Sequence, residues 1–141
     1  MDWLSSLSQL NWLAILVAFV STMVIGFVWY MPALLGRKWM QAIGKTEEDL
    51  KKINGGAGIW IPMMVAAALT SILLAILIGK LGVRGSLAAG FFALVVALVF
   101  RAGGHVIHNG FAGRPSAVTL IDSGHDIVAM TVAGSIIGAW Q

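Results

Sequence analysis

Residues 12–31 read WLAILVAFVSTMVIGFVWYM, with Ser21 and Thr22 as the only polar breaks and no ionisable group before Tyr30. A helix crossing the roughly 30 Å hydrocarbon core of a bilayer needs about 20 apolar residues, so this stretch is the right length to span. Its side chains do not alternate between apolar and polar, which argues against a barrel strand. In lipid a helix satisfies its own backbone amides. A secretory leader would carry basic residues ahead of its apolar core and small residues after it. Here Asp2 is the one charge ahead, and Trp29-Tyr30 stands where small residues would be. The segment is therefore expected to be retained.

Three more stretches follow the same rule. Residues 58–79 are uncharged, and residues 86–109 are apolar as far as Phe100 before turning polar. Residues 118–140 carry Asp122, His125 and Asp126 in their first half. The expected fold is an all-α, integral membrane four-helix bundle formed from a single transmembrane domain. Composition agrees: of 141 residues, 59% are hydrophobic and 11% charged. A soluble domain usually carries about 25% charged residues. Without cysteine there is no disulfide framework, thiolate metal site or cysteine nucleophile. The net charge of +3 is spread over loops and forms no stripe for nucleic acid. No phosphate loop, serine elbow, H-E-x-x-H or dinucleotide fingerprint is present, so no enzyme class is indicated and no cofactor is named.

The loops set an orientation. Residues 32–57 hold Arg37, Lys38, Lys45, Lys51 and Lys52, and the last loop adds Arg114, whereas the opposite face has Lys80 and Arg84. The positive-inside rule places the richer loops in the cytoplasm and both termini on the outer, periplasmic side. Trp12 and Trp140 would mark one interface, with Trp29, Trp39 and Trp60 at the other. Within the first loop, Thr46 before Glu47, Glu48 and Asp49 predicts a short interfacial helix over about 47–54, stopped by Gly55-Gly56. Its lysines would anchor to anionic lipid.

Ionisable side chains within a span are costly and seldom face lipid. Arg101, His105 and His108 fall on one helical face, with Asn109 beside them, and Asp122, His125 and Asp126 share a face of the next helix. The short turn through Gly113 and Pro115 makes these two helices an antiparallel hairpin. In a hairpin, residues at equal depth have numbers with a constant sum. That arithmetic pairs Arg101 with Asp126 and His105 with Asp122. The patch reads as a cytoplasm-facing proton, ion or small-solute site in a transport or channel protein, or as a network that only fixes helix packing in an accessory subunit. A metal- or lipid-dependent enzyme is a third reading. For a metal, His105, His108, Asp122 and His125 are weak candidate ligands. Gly134 and Gly138 form a small-residue stripe suited to close packing within one chain or between copies. Four helices barely enclose a site, which favours a homo-oligomer in the bilayer. Gly103-Gly104 is expected to lie against a neighbouring helix.

The chain also resembles an uncharacterised bacterial membrane family, domain of unknown function 1761. The likeness runs through Asn11-Trp12, Trp29-Tyr30, Gly36-Arg37-Lys38-Trp39-Met40 with Gly44, Gly113-Arg114-Pro115, Asp122 and Gly138-Ala139-Trp140. It implies a multi-pass protein of four helices in the bacterial inner membrane, with no established activity. Trp29, Tyr30 and Arg114 are added as candidate lining of the polar patch.

Overall fold

A computed structural model describes residues 7–54 and 57–140, so the Gly55-Gly56 stop lies outside the described residues. The described residues contain helices and no strand. Four of the helices are long and apolar enough to cross a membrane. In chain order they and the shorter helices are α1 (Trp12–Trp29), α2 (Arg37–Ile43), α3 (Glu47–Asn54), α4 (Ala57–Lys80), α5 (Ser86–Phe111) and α6 (Ser116–Ala139).

The ends of these helices follow from local chemistry. Asn11 caps α1 by accepting the Ala14 amide at 3.1 Å, meeting one of the donors that a helix start leaves unpaired. After Tyr30 the chain makes one π-helical turn, Pro32–Gly36, closed by the Gly36 amide on the Met31 carbonyl at 3.0 Å. Only glycine fits at its end, because a Cβ on Gly36 would meet the Met31 carbonyl carbon at 2.8 Å. That turn swings α2 back toward α6. Thr46 caps α3 reciprocally with Asp49: the Asp49 amide donates to the Thr46 hydroxyl at 3.1 Å, and the Thr46 amide donates to the Asp49 carboxylate at 2.9 Å.

Packing divides the bundle into two halves. Ile15 and Ala18 of α1, Leu74, Ala75 and Ile78 of α4, Ala89 and Ala93 of α5, and Ala133 and Ile137 of α6 form a wholly apolar core. It lies toward the start of α1 and α5 and the end of α4 and α6. There the α6 glycine stripe is used within the chain. A Cβ on Gly134 would lie 2.7 Å from the Ala89 carbonyl oxygen, and one on Gly138 would lie 2.7 Å from that of Gly85. The stripe lets α5 and α6 approach backbone to backbone, as small residues do in lipid. In the other half α4 stands apart, with Ile61, Met63, Met64, Val65 and Leu69 exposed.

α5 is not uniform. Residues Ala97–Ala102 form a π-helical segment between two α-helical stretches, and Arg101 lies within it. The irregularity precedes Gly103-Gly104. Nothing lies within 4 Å of a Cβ added to Gly104, so the expected close packing at that glycine pair does not occur.

Candidate functional site

Asp126 of α6 is the centre of the polar patch. Arg101 Nε donates to its Oδ2 at 2.9 Å, and His105 Nε2 lies 3.0 Å from the same oxygen. His125 Nδ1 lies 3.0 Å from Oδ1. An ionised carboxylate only accepts, so each imidazole presents an N–H to it. In that orientation His125 Nε2 is the ring nitrogen turned away from the carboxylate. It is buried without a hydrogen-bond partner, and it faces α1, where a Cβ on Gly26 would stand 3.2 Å away. Ser123 Oγ, on the same helix, is likewise buried and unpartnered. At roughly 1.5 Å per residue, Asp126 stands about 15 Å along α6 from Ser116, half of the roughly 30 Å that a membrane-spanning helix has to cover.

A second carboxylate sits one turn nearer the basic loops. Asp122 Oδ1 accepts the Tyr30 hydroxyl at 2.7 Å and Trp39 Nε1 at 2.9 Å. The Tyr30 and Trp39 rings meet edge to face with centroids 5.5 Å apart, a favoured aromatic geometry. Tyr30 also lies 5.4 Å from the His125 ring. Trp29 donates from Nε1 to the Ile121 carbonyl at 3.0 Å, and its ring fits because residue 124 is glycine. A Cβ there would stand 3.0 Å from Trp29 Cζ2. Trp29, Tyr30 and Trp39 therefore clamp the end of α1 and the start of α2 onto α6.

Several expectations change. Arg101 does pair with Asp126, but His105 joins that same carboxylate and does not reach Asp122 in a hydrogen bond. Asp122 is taken by the aromatic donors instead. Trp29 and Trp39 direct their N–H groups into the bundle and are not simple interface markers. His108 is exposed, and its side chain has no hydrogen-bond partner among the described residues. Asn109 lies apart from the hub, donating to Thr119 Oγ1 at 3.1 Å. Arg114 is exposed in the α5–α6 turn. Among the described residues no three histidine or carboxylate side chains are placed to hold a metal ion. The residue missed as a site member is Trp39. It stands within Gly36-Arg37-Lys38-Trp39-Met40, the stretch that carries the family likeness.

A family model described as "Protein of unknown function (DUF1761)" matches residues 13–138. The chain belongs to this family. No curated protein and no solved structure matches it. For this DUF1761 protein the polar patch is consequently read from its own chemistry.

The arrangement can do two things. As a structural device it neutralises Arg101 with Asp126 and gives the carboxylate three donors, which makes a buried charge tolerable. As a chemical device it places two imidazoles on one carboxylate whose charge Arg101 already balances. Any proton taken up by His105 or His125 then adds a net charge inside the span. The hub is sealed unevenly: the Arg101 side chain is 52% exposed and the Asp126 side chain 11%.

Proposed function

We propose that this chain is a proton-responsive, multi-pass protein of the bacterial inner membrane, with the Asp126 hub as its proton site and the basic-loop side as its entrance. The observation that carries the reading is the sharing of Asp126 by His105 and His125 with Arg101 already in place. Histidine is the side chain whose ordinary titration falls near physiological pH, and an ionisable group within a span is a functional candidate by default. Asp122 with Tyr30 and Trp39 lies between the hub and the basic loops and forms the outer station of the path. The positive-inside rule puts that entrance, with residues 32–57 and the turn that holds Arg114, on the cytoplasmic side.

Single-chain conduction is opposed by the other half of the bundle. There the hydroxyls of Ser21 and Ser71 return to carbonyls of their own helices, and the apolar core closes the way. A path across the membrane thus needs a second copy, and the homo-oligomer is part of the proposal. Its cargo would be a proton, an ion or a small solute. The same apolar seal favours a second reading, an accessory subunit whose hub fixes helix packing alone. Proton flux into liposomes separates the two. Wild-type flux that is lost in the His105→Ala, His125→Ala variant supports conduction through the hub. No flux from folded wild-type protein supports the accessory role.

A further inference from the structure

At the basic-loop end of the bundle, a groove of about 380 Å³ runs between α2 and the α5–α6 turn. Trp39 and Ile43 of α2 form one wall and Val118 of α6 the other, with Lys45 and Arg114 also bordering it. On the far side of Arg114 a second groove, about 320 Å³, runs up between α5 and α6 past Val106 and Leu120. One guanidinium therefore stands between two apolar-walled grooves, and an ammonium borders the first. Lys45 and Arg114 form no salt bridge among the described residues, although the Lys45 charge acts on the nearby Asp49 carboxylate, whereas Lys52 is paired with Glu48 at 2.9 Å.

We infer that this end of the molecule binds one anionic phospholipid from the leaflet on the basic-loop side. The phosphate sits between Lys45 and Arg114, and one acyl chain lies in each groove. Two features favour a lipid over a soluble phosphate. Both grooves present mainly apolar surface, from Trp39, Ile43 and Val118 in the first and from Val106 and Leu120 beside Ser116 and Thr119 in the second, and both lie where helices end. Tryptophan at such a level is also suited to the lipid interface. Arginine is well matched to phosphate because its planar fork donates two parallel hydrogen bonds. The site is tied to the interior through Trp39, which lines the first groove and donates to Asp122. A seated lipid would hold α2 against α6 and so keep the aromatic clamp closed over the outer carboxylate. This inference depends on the membrane reading and is independent of proton movement at Asp126.

The test uses the full-length protein in vesicles of phosphatidylcholine, with and without phosphatidylglycerol. Native mass spectrometry reports retained lipid, and thermal unfolding reports stabilisation. The expected result is preferential retention of phosphatidylglycerol by the wild type and a raised unfolding temperature. Both effects should be lost in Lys45→Gln, Arg114→Gln, with affinity falling about thirtyfold, as removal of two surface cations implies. A Lys38→Gln, Lys51→Gln variant removes the same charge from the same end of the bundle and should lose less affinity than Lys45→Gln, Arg114→Gln, because it removes general surface attraction only. Lys45→Arg should retain binding, which guards against a folding defect at that position. Equal losses in the two double variants would overturn the site in favour of general surface attraction. So would an absence of preference for phosphatidylglycerol, or full stabilisation by glycerol phosphate alone in detergent.

Discussion

Asp126 carries three partners on two oxygens, and this concentration makes residue-scale outcomes unequal. Asp126→Ala strands Arg101, His105 and His125 together. Leaving one member of a fully buried pair uncompensated costs about 3 to 5 kcal/mol; the stranded Arg101 is 52% exposed and can turn to solvent, so the expected loss lies below that range. Arg101→Ala should cost less, because about half of its side chain is exposed and Asp126 keeps two imidazoles. An Arg101→Asp, Asp126→Arg swap should recover part of the pair but not the histidine bonds. Unfolding in mixed micelles gives the order, and equal losses for Asp126→Ala and Arg101→Ala would contradict the hub. A smaller effect is expected at Asp122. Trp39→Phe keeps a ring but removes the donor, at about 1.5 to 3 kcal/mol for a hydrogen bond to a charged group. The Arg101–Asp126 pair was legible in the sequence because constant-sum arithmetic locates depth in a hairpin. It does not locate which neighbour a side chain turns to. Asp122 is claimed by Tyr30 and Trp39, 92 and 83 residues away in the chain, through a π turn that no helix periodicity announces.

At the scale of elements, Gly104 of α5 and Gly134 of α6 behave oppositely, although in the sequence both read as packing glycines. Gly134→Ala places a methyl against the Ala89 carbonyl, 2.7 Å from its oxygen, and must push α5 away. Overpacking of this kind costs about 1 to 3 kcal/mol. Gly104→Ala meets nothing within 4 Å and should leave the unfolding temperature unchanged or slightly raised. A destabilised Gly104→Ala with a neutral Gly134→Ala would reverse the packing of the hairpin. The small-residue pattern alone permitted both outcomes, since spacing shows that a face is small without showing what covers it. The cap of α3 gives an element-scale pH dependence. The Thr46 amide and then its hydroxyl hold the exposed Asp49 carboxyl below its usual range. A lowered folded value means that the cap contributes above the unfolded value of about 4 and is lost as pH falls through the folded one. Hydrogen exchange in α3 should therefore accelerate on acidification, relative to the intrinsic rate, and Asp49→Asn should remove that dependence. An acid response that persists in Asp49→Asn would place its origin elsewhere.

At the scale of the whole molecule, the decisive property is the division into a polar half and a sealed half. The long apolar helices were readable from hydropathy, because a bilayer demands a length and a composition that few other settings do. The seal was not readable, because it depends on Ala89 and Ala93 meeting Gly134 and Gly138 across two helices. Its consequence can be measured. On the proposed reading, a proton entering past Asp122 would reach Asp126 and meet beyond it Ala129, Ala133 and Ile137, all buried and apolar. A single copy should consequently bind protons without passing them. Protein reconstituted so sparsely that photobleaching shows one copy per vesicle should give pH-dependent proton uptake, abolished in His105→Ala, His125→Ala, and no sustained flux. At higher density, flux should appear together with assemblies of two or more copies, since any continuous polar path must then run between chains. The half-exposed Arg101 side chain lies on a surface that an assembly would have to cover. Sustained flux from single copies would show that the apolar half opens, and the route would have to be sought through the α5–α6 contact itself.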